Sequence, residues 1–102
     1  LIGSGPAYIF LMIEAFQKAA IKLNLDDTLT KQLITEMFIG SATLVKLSDE
    51  EPKSLKARVT SPGGVTEAAL NLLNSNDFSK LFEEAIKEGE NKSLKLSRGK
   101  DV

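Results

Sequence analysis

Every residue from Tyr8 to Ile13 is apolar, and this stretch sits inside a longer helical pattern running from Ala7 to about Leu25. A helix with no polar side at that level has to be covered on several faces. The whole chain is 102 residues long, and small domains bury a smaller share of their surface than large ones. Little chain is left to do the covering. The simplest remedy is a second copy, with its own apolar helix laid against this one about a twofold axis. The first expectation is therefore a homodimer.

The rest of the chain is helical in period. Glu14, Gln17, Lys18 and Lys22 form the polar stripe of the first helix, which opens after the turn Gly3-Ser4-Gly5-Pro6. Proline is tolerated there because the first helical N–H has no intrahelical partner to lose. Asn24 to Asp27 reads as a turn, with Asp26 or Asp27 as N-cap of a second helix. Its apolar stripes are Leu29, Leu33, Met37 and Leu44 beside Ile34, Phe38 and Val45. After the polar segment Leu47 to Glu51, Pro52 restarts a short helix through Val59. A fourth helix follows Thr66, with Ala68, Ala69, Leu72 and Leu73 expected to face inward. Asn74 to Asp77 is a turn rich in capping side chains. Phe78, Leu81, Phe82, Ala85 and Ile86 mark a last amphipathic helix, expected to fade past Gly89 into a Lys-rich tail. Few segments alternate with the period of a strand. The expectation is one all-α domain over residues 1–102, a helical bundle with two helices of about 20 residues and about three shorter ones.

Composition narrows the chemistry. Thirteen basic and 14 acidic side chains leave a net charge of −1, which removes the bulk electrostatic argument for nucleic acid or an anionic membrane. With no Cys and no His, thiolate chemistry, disulfides, the commonest general base and the commonest metal ligand are all excluded. No metal is expected. The apolar run stops at Glu14, short of the roughly 18–20 residues that span a bilayer. A charged signal-peptide start is absent, and because there is no initiator Met the sequence is expected to be a piece of a longer protein. The acidic run Asp49-Glu50-Glu51 lacks the ligand spacing of a calcium loop and reads as a solvated linker. Glu14 is expected to pair with Lys18 one turn on, and the tail's Lys92, Lys95, Arg98 and Lys100 are too scattered to suggest nucleic acid. What remains is backbone amides, hydroxyls, carboxylates, Lys and Arg.

Two glycine-containing loops are candidates. Gly3-Ser4-Gly5 has Tyr8 where the third glycine of a dinucleotide fingerprint belongs, and no strand precedes it, so it reads as a turn. The loop Ser61-Pro62-Gly63-Gly64-Val65-Thr66 is different. Pro62 fixes one φ angle, while Gly63 and Gly64 can take positive φ and leave no Cβ in the way. Amides there can converge on one point just before a helix, where an anion gains both hydrogen bonds and the helix-end field. The Ser61 and Thr66 hydroxyls lie within reach of that point. A plainer reading stays open, in which Ser61 or Thr66 caps the helix and the glycines only turn the chain.

Gly3-Ser4-Gly5-Pro6-Ala7-Tyr8, taken with Val59-Thr60-Ser61-Pro62-Gly63-Gly64-Val65-Thr66 and with Asp77-Phe78 before the last helix, resembles the C-terminal domain of the pyrroline-5-carboxylate reductases. The resemblance covers essentially the whole chain. It implies an all-helical dimerisation domain whose helices interlace with the partner's, in some members within rings of dimers. It implies reduction of 1-pyrroline-5-carboxylate to L-proline by NAD(P)H in proline biosynthesis, in the cytoplasm or an organelle. The cofactor is then held mainly by an N-terminal dinucleotide-binding half that nothing in these residues resembles. No cofactor is expected on this chain alone, nor any turnover. The resemblance further implies that Ser61, Gly63, Gly64, Val65 and Thr66 bind the substrate. Ser61 would give a hydroxyl and Gly64 and Val65 their N–H groups to the carboxylate. Thr66, the catalytic residue of the set, would hydrogen-bond the ring nitrogen and steer the imine.

A protonated imine is already electrophilic, so a site of this kind needs positioning more than a nucleophile. Asp49 matches a Glu that supports the site through water in some members, with one methylene less. Ile2 stands where Ser is common, Val65 where a small or hydroxyl residue is usual, and Arg58 where a neutral one is more frequent. A second function class is a non-catalytic helical dimerisation or interaction module that keeps the fold. The intact Ser61–Thr66 loop is the feature that separates the two.

Overall fold

The computed structural model describes residues 1–100; the last two positions of the expected domain, Asp101 and Val102, lie outside the described residues. Five helices follow one another: α1 (Gly5–Lys22), α2 (Asp27–Leu47), α3 (Pro52–Arg58), α4 (Val65–Ser75) and α5 (Phe78–Lys100). Among the described residues there is no strand. The all-α expectation holds.

Local chemistry sets the boundaries. Pro6 sits in the first turn of α1. At the other end Asn24 takes a φ of 58°, a left-handed conformation that Asn tolerates better than most residues. That turn lets Leu25 N–H reach back to Ala20 O at 3.1 Å, satisfying a carbonyl the helix end would otherwise orphan. Of the two candidate caps for α2 it is Asp26 that acts, its Oδ1 accepting from Leu29 N–H at 2.8 Å. Such a cap contributes about 1 kcal/mol. Asp27 instead pairs with Lys31 at 3.3 Å, and Glu14 with Lys18 at 3.8 Å, both exposed i,i+4 pairs. Asp77 repeats the left-handed solution between α4 and α5, with φ 55°.

The distribution of helix lengths differs from expectation. Three helices are long, with 18, 21 and 23 residues in α1, α2 and α5. Two are short, with 11 in α4 and 7 in α3. The tail past Gly89 does not fade but continues α5. A glycine inside a helix costs only about 1 kcal/mol relative to alanine. The Lys and Glu residues around it are good helix formers, and Lys87 and Glu90 stand 3.9 Å apart across that step.

The chain divides into two units, one of residues 2–55 and one beginning at residue 56. In the first, α1 lies against α2. Phe16 and Phe38 meet edge to face, 5.5 Å between centroids at 89°, a geometry worth about 0.5–1.5 kcal/mol beyond simple burial. Ala20 and Ile34 are the buried residues of this seam. In the second unit α4 lies against α5, with Leu70, Phe78, Phe82 and Ile86 half-buried. The inward face expected for α4 is corrected: Ala68, Ala69, Leu72 and Leu73 are all exposed. One neighbouring helix covers one side of α4 only, and that side carries Leu70.

The apolar girdle of α1 is no better covered. Tyr8, Met12 and Ile13 are half-buried, whereas Ile9, Phe10 and Leu11 are exposed, Phe10 by 67%. On α2, Leu29, Leu33 and Met37 are exposed as well. Large exposed apolar side chains gathered on two neighbouring helices point to an interaction surface. No helix of the described residues is long and apolar enough to cross a membrane.

Candidate functional site

The loop between α3 and α4 is built around Pro62-Gly63. Gly64 N–H donates to Ser61 O at 3.0 Å, and Gly63 has a φ of +71°. A positive φ at the third position is the requirement of a type II turn, and proline at the second is common in it. Gly64 is needed for a separate reason: a Cβ there would stand 3.1 Å from Ser61 O. A Cβ on Gly63 would meet nothing within 4 Å, so only backbone conformation penalises a side chain at that position. Gly63→Ala is accordingly expected to lower stability by about 1–2 kcal/mol, read as a lower urea midpoint. An unchanged midpoint would show that the turn has no fixed hand.

The turn delivers Gly64 as N-cap of α4, in extended conformation and without a side-chain cap. The cap role open to Ser61 or Thr66 is thus filled by neither. Ala68 N–H is the first to bond back, to Gly64 O at 3.2 Å. Among the described residues nothing accepts from the amides of Val65, Thr66 and Glu67, and the Ser61 and Thr66 hydroxyls have no partner. Three open N–H groups at a helix start carry a partial positive charge suited to a carboxylate or phosphate. The Val65 side chain is in solvent, 89% exposed, and leaves this space open.

Gly64 N–H, one of the two expected amide donors, is already committed to Ser61 O. The open set lies one residue further into α4. Gly63 N–H is also engaged, by Glu67 Oε1 at 3.1 Å. Glu67 stands at the third helical position, where a glutamate reaches back to the cap residue in a capping box; here it reaches one residue beyond. Sequence reasoning did not single out Glu67, although a glutamate three residues after Gly64 was the available signal.

The remaining candidates are placed as follows. Asp49 is exposed just past α2, and Arg58 is the exposed last residue of α3. In the acidic run, Ser48 Oγ accepts from Glu50 N–H at 3.0 Å, and Ser54 Oγ donates to Glu50 Oε1 at 3.2 Å. The run thereby shapes the entry to α3. Among the described residues no three acidic side chains are grouped as a metal site.

Comparison with known proteins gives one answer. Residues 1–96 match the family model described as pyrroline-5-carboxylate reductase dimerisation. Pyrroline-5-carboxylate reductase 2 of Bacillus subtilis is 38% identical over 96 residues, covering 94% of this chain and 34% of that protein. The structure of a pyrroline-5-carboxylate reductase from Coxiella burnetii superposes with a TM-score of 0.87 at 38% identity, over 91% of this chain and 34% of the other. The Plasmodium falciparum pyrroline carboxylate reductase, a crystal structure with NADP bound, gives 0.80 at 38% identity, over 83% and 34%. The chain spans about a third of the length of the relatives it matches. With five helices among its described residues and a Ser-Pro-Gly-Gly turn at the mouth of α4, the chain belongs to the pyrroline-5-carboxylate reductase dimerisation family.

Proposed function

We propose that this chain is the dimerisation and carboxylate-holding part of a reductase that makes L-proline from 1-pyrroline-5-carboxylate with NAD(P)H, in proline biosynthesis and in the cytoplasm. The observation that carries this reading is the cluster of three open amides and two unpartnered hydroxyls at the start of α4, in a chain of this family.

The substrate carboxylate takes the Val65 and Thr66 amides and the Ser61 hydroxyl. Gly63 and Gly64 shape the turn that presents them. Hydrogen bonds to a charged group contribute about 1.5–3 kcal/mol each. The Thr66 hydroxyl oxygen accepts the N–H of the protonated imine and sets which side of the ring is presented. Fixing ring and carboxylate together removes rotational freedom before reaction, which is worth several kcal/mol of barrier.

The described residues do not fit a dinucleotide. They include no strand, and the Gly3-Ser4-Gly5 turn passes straight into α1. We therefore assign NAD(P)H to the remaining two thirds of such a reductase, and turnover to the whole. The exposed girdle of α1 and the exposed stripe of α2 support a homodimer with interlaced helices, itself a unit from which a ring of dimers can be assembled.

The test is an amide NMR titration of this chain with L-proline. Shifts are expected at Gly63 to Thr66. Shifts confined to other helices, or none, would favour the second class, an interaction module without catalytic duty.

A further inference from the structure

We infer that Glu67 is a positioning residue for the substrate carboxylate, an inference that rests on the reading of the loop given above. Glu67 Oε1 accepts from Gly63 N–H at 3.1 Å and so closes a ring of backbone from Gly63 to Glu67. The Val65 and Thr66 amides lie inside that ring. Besides the bond from Gly64 N–H to Ser61 O, little else ties the turn to the helix. Gly63 is exposed, and a Cβ there would meet nothing within 4 Å. Val65 has its side chain in solvent, and Gly64, the hinge between turn and helix, is the residue type with most freedom to lose.

Ser61 is coupled to the same ring, because its carbonyl oxygen takes the Gly64 N–H at 3.0 Å. If the Glu67 bond is lost, the angle between the Ser61 hydroxyl and the α4 amides is held by the Ser61–Gly64 bond alone. Those groups must then be ordered at the moment the substrate binds, and affinity falls by that entropy. A carboxylate beside an anion site also repels the incoming charge, but Glu67 is only half-buried and the repulsion is screened by solvent and salt. Acceptor geometry, not charge, is the property that matters.

Glutamine keeps an Oε1 acceptor and removes the charge; alanine removes both; neither touches the residue's own N–H. Wild type, Glu67→Gln and Glu67→Ala of the full chain are titrated with L-proline by amide NMR, with helix content and dimer mass as controls. Glu67→Gln is expected to bind within about twofold of wild type, and Glu67→Ala about three- to tenfold more weakly, the usual range for one hydrogen bond. In a reductase carrying this chain the same loss is expected in KM with kcat preserved, the mark of a contact made equally in ground and transition states. Wild-type affinity in Glu67→Ala overturns the inference. Tighter binding in both variants overturns it too, making Glu67 a repelling charge. Glutamine as weak as alanine would assign the effect to charge at the helix end. Absence of any response to L-proline at Gly63–Thr66 in the wild type is separate from these: it removes the functional reading itself, and this inference with it.

Discussion

Phe10→Glu is expected to abolish the dimer, with light scattering at low micromolar concentration reporting the mass of one chain. Phe10 lies in the middle of the apolar girdle of α1 and is 67% exposed in the single chain. Glutamate is at least as good a helix former as phenylalanine, so α1 itself has no reason to melt. The cost falls on association. A twofold seam brings the new carboxylate in from both subunits, and burying an unpaired charge costs several kcal/mol per ion. A loss of even about 3 kcal/mol weakens a dimer roughly a hundredfold. A Phe10→Glu protein that stays dimeric at wild-type affinity would show that the girdle of α1 is not where the copies meet.

Thr66→Ala, made in a full-length reductase carrying this chain, is expected to lower kcat/KM by about ten- to a hundredfold. That range corresponds to one hydrogen bond to a charged partner, about 1.5–3 kcal/mol. The backbone N–H at this position survives the substitution, so the carboxylate keeps an anchor and the defect should appear mainly in kcat. Dimer mass should not change, because Thr66 lies in the exposed first turn of α4 and has no side-chain partner among the described residues. Thr66→Ser, which restores a hydroxyl, should recover most of the rate. Kinetics indistinguishable from wild type in Thr66→Ala would remove the residue from the site.

Features written in local chemistry were legible in the sequence. The Asp26 cap, the proline starts of α1 and α3, the turns that contain Asn24 and Asp77, and the Pro62-Gly63 turn each follow from local stereochemistry or side-chain reach. Features set by a balance or a neighbour were less so. Continuation of α5 through Gly89 depends on one weak penalty outweighed by many good helix formers. Which stripe of α4 is covered depends on the packing of α5, and periodicity alone pointed to Leu72 and Leu73 where the structure covers Leu70. At the candidate site Ser61 to Gly64 form the expected turn, but Val65 and Thr66 already belong to α4, and the partners of the turn's amides were not foreseen. Gly64 N–H belongs to the turn and Gly63 N–H to Glu67; the first is the closing bond of the Pro62-Gly63 turn, and for the second the glutamate three residues after Gly64 was the signal.

Ala20 and Ile34 are the buried apolar residues among those described, and this shapes how the protein tolerates change. Positions such as Phe10 or Leu33 look like ordinary exterior in one chain, yet in a symmetric pair each alteration is inherited by both members. A cell that makes a sound version and a damaged one side by side would lose sound chains to mismatched pairs. Where the proposed homodimer supplies the missing interior, a defective allele does harm beyond its own product.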